Sequence, residues 1–112
     1  MPRFSKISQE RLNSCHPDII RLFNEVIKIT DFSVLSGHRT PAEQLELYKK
    51  GRTEPGKRVT NIDGYNIKSM HNFSPSLAVD VAPYPIDWND IDRFKALSEI
   101  VKAKAQEMGI DI

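Results

Sequence analysis

The sequence predicts an α+β domain in which a small, mostly antiparallel sheet packs with about three helices. Three observations carry that prediction. Apolar residues recur at helical spacing over 17–29 and again over 90–108. Two short apolar runs, 32–36 and 77–82, have strand length and are closed by Gly or Pro. The two kinds of segment are interleaved without internal repeats or a Gly/Ser linker, and 112 residues suffice for one hydrophobic core but not two.

The first helix is expected from Pro17 to about Ile29. Pro17 suits the first helical position, and Ile19, Leu22, Phe23, Val26 and Ile27 share one face. Phe32 to Ser36 then reads as a short strand ended by Gly37. The second helix starts at Thr40, which can cap, with Pro41 next and Glu43 placed to complete a capping box. Leu45 and Tyr48 are expected to face inward and Gly51 to end the helix. Residues 51–66 are polar and basic, with Asp63-Gly64 as a tight turn. Leu77 to Ala82 reads as a buried strand stopped by Pro83 and Pro85. Asp87 or Asn89 can cap the last helix, whose inner stripe is Ile91, Phe94, Leu97, Val101 and Met108, with Gly109 closing it. Ile110-Asp111-Ile112 alternates like the first residues of another strand.

Composition narrows the function. Apolar residues make up 39% and charged residues 28%, as in ordinary globular proteins. A net charge of +1 gives no reason to expect nucleic acid or an anionic membrane as partner. Cys15 is the single cysteine, so there is no internal disulfide framework and a reducing compartment is suited. The first residues lack the apolar core of a secretory signal, and no run approaches membrane-span length. These features give the expectation of a cytosolic protein, or one that leaves the cytosol by a separate route.

Two constellations carry chemistry. His71 and Asp80 offer an imidazole and a carboxylate, two of the ligand types that hold a catalytic zinc. Alternation places Ala78, Asp80 and Ala82 on one strand face, and the small alanines leave room beside the carboxylate. Spacing alone equally allows a structural aspartate with an Arg partner and a surface histidine. Ser36-Gly37-His38-Arg39-Thr40 stands at a strand-to-helix corner, where backbone N–H groups favour an anion and Arg39 adds a planar, fixed charge. The basic segment Lys49 to Arg58 could meet an anionic polymer but reads more simply as a solvated loop, and it lacks interleaved aromatics. Cys15-His16 and His38 are weaker candidates for a metal.

Taken together, Ser36-Gly37-His38-Arg39-Thr40 with Glu43-Gln44, Gly51-Arg52-Thr53 with Pro55-Gly56, and Ser69-x-His71 with Ser76-x-Ala78-x-Asp80-x-Ala82-Pro83 resemble one known family. They are similar to the phage-type zinc peptidases, the L-alanyl-D-glutamate endopeptidase endolysins. That family is related to the vancomycin-resistance D-Ala-D-Ala peptidases and shares the Hedgehog/D,D-peptidase fold. The resemblance covers about residues 15–112. It implies a Zn2+-dependent metallopeptidase acting on peptidoglycan stem peptides during phage lysis, as a monomer without nucleic-acid or membrane partners. His71 and Asp80 would be the first two zinc ligands. Arg39 would bind substrate or steady the charge on the attacked carbonyl, and Gln44 and Ser69 would contact substrate. The loop between His71 and Asp80 is longer here than the usual family spacing. The family pattern also continues with a further strand, a catalytic acid and a third ligand, whereas this chain reaches Ile112 first. The resemblance thus implies a single peptidase-like domain over 1–112, incomplete at its C-terminus, with poor metal affinity and weak or no activity. A non-catalytic cell-wall or anion-binding module, using the basic segment, is the alternative.

Overall fold

The computed structural model describes residues 2–111. Four helices enclose a two-stranded antiparallel sheet. In chain order these are α1 (Lys6–Asn13), α2 (Pro17–Val26), β1 (Phe32–Ser36), α3 (Pro41–Lys49), a 3-10 turn at Met70–Asn72, β2 (Asp80–Pro83) and α4 (Ile91–Met108). The core lies between α1, α2, α4 and the sheet, with α1 against β1 and α4 against α2 and β2, and it contains Leu12, Leu22, Phe23, Val26, Phe32, Val34 and Leu97. Phe32 takes the edges of both Phe4 and Phe23, at centroid distances of 5.1 and 5.7 Å.

Helix α1 has no counterpart in the sequence reading. Its apolar signal is thin, because only Ser8 and Leu12 are buried along it. Its attachment is polar instead. Ser5 caps it, the Ser8 hydroxyl accepts from Val34 N–H at 3.0 Å, and the Arg11 guanidinium donates to Val34 C=O at 3.1 Å. Side chains of α1 thereby satisfy backbone groups of β1 that a third strand would otherwise take. The expected first helix begins at Pro17 as predicted but ends at Val26, followed by a turn through Ile27 to Ile29.

Helix α3 follows its capping signals closely. The Thr40 hydroxyl accepts from Glu43 N–H at 3.1 Å, and the Glu43 carboxylate accepts from Thr40 N–H at 3.0 Å. That backbone hydrogen bond, supported by the Thr40 side chain, holds the Glu43 carboxyl below its ordinary range. The capping contribution is therefore present above the ordinary glutamate pKa and is lost as pH falls through the lowered one. Thr40→Ala is expected to cost about 1 kcal/mol at neutral pH. Thermal melts should keep most of that difference at low pH, because the hydroxyl bond to Glu43 N–H does not titrate and the alanine variant retains the backbone bond to the Glu43 carboxylate. The inward-facing residue of α3 is not an apolar one: Leu45 and Tyr48 are half-buried, and Gln44 is the residue fully enclosed.

Strand β2 starts three residues later than expected. Residues just before it are held elsewhere: Ser76 pairs with Cys15, His16 N–H donates to Ser76 C=O at 2.8 Å, and Ser76 N–H donates to Ser14 C=O at 2.9 Å. This pairing pulls 76–79 toward the α1–α2 junction and leaves Leu77 exposed. The ladder with β1 runs from Phe32 opposite Pro83 to Ser36 opposite Asp80, with a bulge between Val34 and Ser36. Asp80 consequently sits at the open end of the strand with a half-exposed side chain, not inside an apolar run. Helix α4 is capped by Asp90, whose carboxylate accepts from Arg93 N–H at 3.3 Å, rather than by Asp87 or Asn89. Leu97 and Ala105 are its buried residues, Ile91 lies outside the stripe at 59% exposure, and Gly109 closes it with φ +71°. Ile110 and Asp111 form no strand, and Ile112 lies outside the described residues.

Candidate active site

The bulge at Leu35 brings Ser36 opposite Asp80, and from there the site assembles outward. The Ser36 hydroxyl donates to Asp80 Oδ2 at 2.8 Å. The Arg39 guanidinium reaches the same oxygen at 3.4 Å and also donates to Ser36 Oγ at 3.2 Å. His71 approaches from the 3-10 turn, with its Nε2 3.4 Å from Asp80 Oδ2. His71, Asp80 and Arg39 thus converge although they come from three separate segments.

The backbone of the corner and of the turn are tied together. Arg39 N–H donates to His71 C=O at 2.7 Å, and the Asn72 amide donates to Arg39 C=O at 2.7 Å. Ser69 is buried beneath this junction, where its hydroxyl accepts from His71 N–H at 3.2 Å and its own N–H donates to the Asn72 side chain. Ser69 therefore shapes the turn that carries His71.

The tautomer of His71 follows from its neighbours. Nδ1 lies 2.7 Å from Gly37 C=O, which can only accept, so Nδ1 carries the proton. In the neutral ring Nε2 then presents a lone pair toward Asp80 Oδ2, and two acceptors face one another across 3.4 Å. Such an arrangement is favourable when a cation lies near both. A histidine that donates its second nitrogen to a backbone carbonyl has the outer-shell bond usual for metal-ligating imidazole. The donor set therefore fits a metal with N and O ligands. Among the described residues no group of three His, Cys, Asp or Glu side chains gathers at one point.

Gln44 is 2% exposed and both ends of its amide are engaged. Its oxygen accepts from Arg39 at 2.7 Å, and its nitrogen donates to Ile62 C=O at 2.8 Å. A residue placed this way holds Arg39 and the 60–64 loop rather than facing a ligand. Gly64 allows the approach: its φ is +88°, and an added Cβ would lie 2.9 Å from Gln44 Cβ. No apolar periodicity could have exposed this role, because the residue is polar and sits on the inner face of a helix.

The other histidines do not join the cluster. His16 caps α2, its Nδ1 accepting from Asp18 N–H at 3.1 Å, and His38 is held by its backbone N–H on Ser14 Oγ at 2.8 Å. Burial pushes the Cys15 thiol up, which disfavours a thiolate there. In the basic segment Arg52 covers the Tyr48 ring at 3.9 Å and donates to Tyr48 and Thr60 carbonyls, Arg58 donates to Gly51 C=O, and Lys49 pairs with Glu46. Those side chains stabilise the loop and its helix.

Comparison with known proteins agrees with the sequence motifs. The phage L-alanyl-D-glutamate peptidase family matches residues 1–112. The L-alanyl-D-glutamate peptidase of Escherichia phage T5 is 27% identical over 115 residues, an alignment covering 98% of this chain and 77% of that protein. The crystal structure of the Serratia marcescens L-Ala D-Glu endopeptidase ChiX superposes with a TM-score of 0.71 at 26% identity, again over 98% of this chain and 77% of the other. The α+β architecture is thus that of an L-Ala-D-Glu endopeptidase, and a metal cofactor is in keeping with the family. The chain belongs to the phage L-alanyl-D-glutamate peptidase family.

Proposed function

We propose that this chain is a peptidoglycan peptidase of L-alanyl-D-glutamate specificity whose zinc is held by His71 and Asp80. The observation that carries the reading is the His71 ring, fixed by Gly37 with its free nitrogen aimed at the Asp80 carboxylate. When bound, zinc supplies Lewis-acid polarisation of the scissile carbonyl and of a water. The chain's own residues do the rest of what can be assigned. Ser36 and Arg39 fix the Asp80 carboxylate by hydrogen bonding to its Oδ2. The Arg39 side chain is only 16% exposed and is held on three sides, so its guanidinium is preorganised for a substrate carboxylate or a developing oxyanion. Gln44 and Ser69 act at one remove, by holding Arg39 and the His71 turn.

Catalytic zinc ordinarily takes three protein ligands. Among the described residues His71 and Asp80 supply two, and hydrolysis is expected to depend on added zinc. Mass spectrometry of digested peptidoglycan tests the reading. Fragments ending in L-Ala and beginning with D-Glu, formed with added zinc and suppressed by chelator, are expected. Cleavage at another bond, or cleavage indifferent to chelator, would count against it.

Gln44→Leu should loosen Arg39 while leaving the ligands in place. We expect a rate loss of roughly 10–100-fold, the range seen when outer-shell support is removed, with zinc affinity nearly unchanged. Gln44→Glu keeps an acceptor for Arg39 but loses the donor to Ile62, so it should recover part of the rate. Equal losses in both variants would assign Gln44 to loop anchoring alone.

A further inference from the structure

At the far end of β2 from Asp80 the chain leaves the sheet through Tyr84-Pro85-Ile86-Asp87-Trp88, and the exposed rings cluster there. Tyr84 is 57% exposed and Trp88 63%. Trp88 is not a loose surface residue. It stacks on Phe94 of α4 with centroids 5.6 Å apart and planes 21° from parallel, so its position is set while much of it stays in solvent. The segment is fixed by the Arg93 guanidinium, which donates to Pro85 C=O at 2.7 Å, and by Asp87, which accepts from Asn89 N–H at 3.0 Å. Beside Tyr84 opens a cleft of about 280 Å³ whose polar lining is Thr30, Asp31 and Arg93.

We propose that this face binds the glycan strand of peptidoglycan, a reading that rests on peptidoglycan being the substrate polymer. The chemistry matches a sugar chain. A pyranose ring has an apolar face that stacks on an aromatic ring and a rim of hydroxyls that takes hydrogen bonds from carboxylate, hydroxyl and guanidinium groups. Trp88 supplies a ring held by its stack on Phe94, and Tyr84 supplies a second exposed ring on the cleft whose polar partners are Asp31, Thr30 and Arg93. The position matches as well. In peptidoglycan the L-alanine of the scissile bond is itself joined to a sugar through a lactyl group. Asp80 and Pro83 mark the two ends of β2, about 10 Å apart at strand rise. A polymer with its peptide at the Asp80 end can therefore lay neighbouring sugars along the Tyr84–Trp88 end.

Trp88 is the only tryptophan, so its fluorescence reports on this face alone. The probe is peptide-free glycan strands, made by amidase digestion of peptidoglycan and titrated into the 112-residue protein with chelator present. A saturable change in Trp88 emission is expected. In a co-sedimentation assay with insoluble glycan, Trp88→Ala and Tyr84→Ala should each weaken binding by about tenfold. Trp88→Phe should retain part of it, and circular dichroism should show all three variants folded. Unchanged emission, binding intact in Trp88→Ala, or binding to lipid vesicles in place of glycan would overturn the proposal. Because no metal is needed, glycan binding without zinc-dependent hydrolysis would sink the peptidase reading alone. Hydrolysis without glycan binding would sink this one alone.

Discussion

His71→Ala is expected to abolish specific zinc binding and to lower hydrolysis by more than the roughly 10–100-fold that follows loss of an outer-shell partner. The side chain is a proposed ligand, and no other histidine among the described residues stands ready to replace it: His16 is used as a helix cap and His38 lies outside the cluster. The imidazole is buried but lies outside the apolar core, so its removal frees the Gly37 carbonyl while leaving the core contacts in place, and the fold should survive. Isothermal titration with zinc would measure the first effect whatever the rate of the parent chain. Asp80→Asn makes the companion test. It keeps an oxygen for Ser36 and Arg39 but removes the charge that a cation requires, so zinc affinity should fall while the thermal midpoint changes little.

Gly37→Ala is expected to have the largest effect on the fold and to damage the site with it. A Cβ at Gly37 would collide with the Arg11 carbonyl and the Ser14 hydroxyl, and would press on Cys15 Sγ. The first of these is backbone and cannot rotate away. Relief requires the end of α1 to separate from the end of β1, which disturbs Ser14, the acceptor for His38 N–H. The same shift moves the Gly37 carbonyl that fixes the His71 ring. Overpacking of this kind costs typically about 1–3 kcal/mol, a large share of the stability of a small domain. Chemical denaturation should report that loss, and zinc affinity should fall in the same variant although no ligand has changed. Ser14→Gly in the Gly37→Ala background removes one of the two closest contacts and should restore only part of the stability.

Much of the site could be read from residues, because its signals are local. Thr40, Pro41 and Glu43 announce the start of α3, and the strand at Phe32–Ser36 is bounded where the residues say. The motif around Ser36 to Thr40 and the pair His71 and Asp80 identified the family before any geometry. What escaped notice depends on partners far apart in sequence. Helix α1 is held by Ser8 and Arg11 on the backbone of Val34, and neither residue carries an apolar signature. The start of β2 is displaced because Ser76 pairs with Cys15, which no period within 77–82 encodes. Gln44 and Ser69 were legible as family positions but not as supports, since their roles exist only once Arg39, Ile62 and the His71 turn are adjacent.

Long-range proton–nitrogen NMR of the His71 ring reports whether Gly37 and Asp80 poise it as a metal ligand. In metal-free protein a proton on Nδ1 is expected, and the Nε2 resonance should shift when zinc is added. A ring without the Nδ1 proton, or an Nε2 resonance unmoved by saturating zinc, would overturn that assignment.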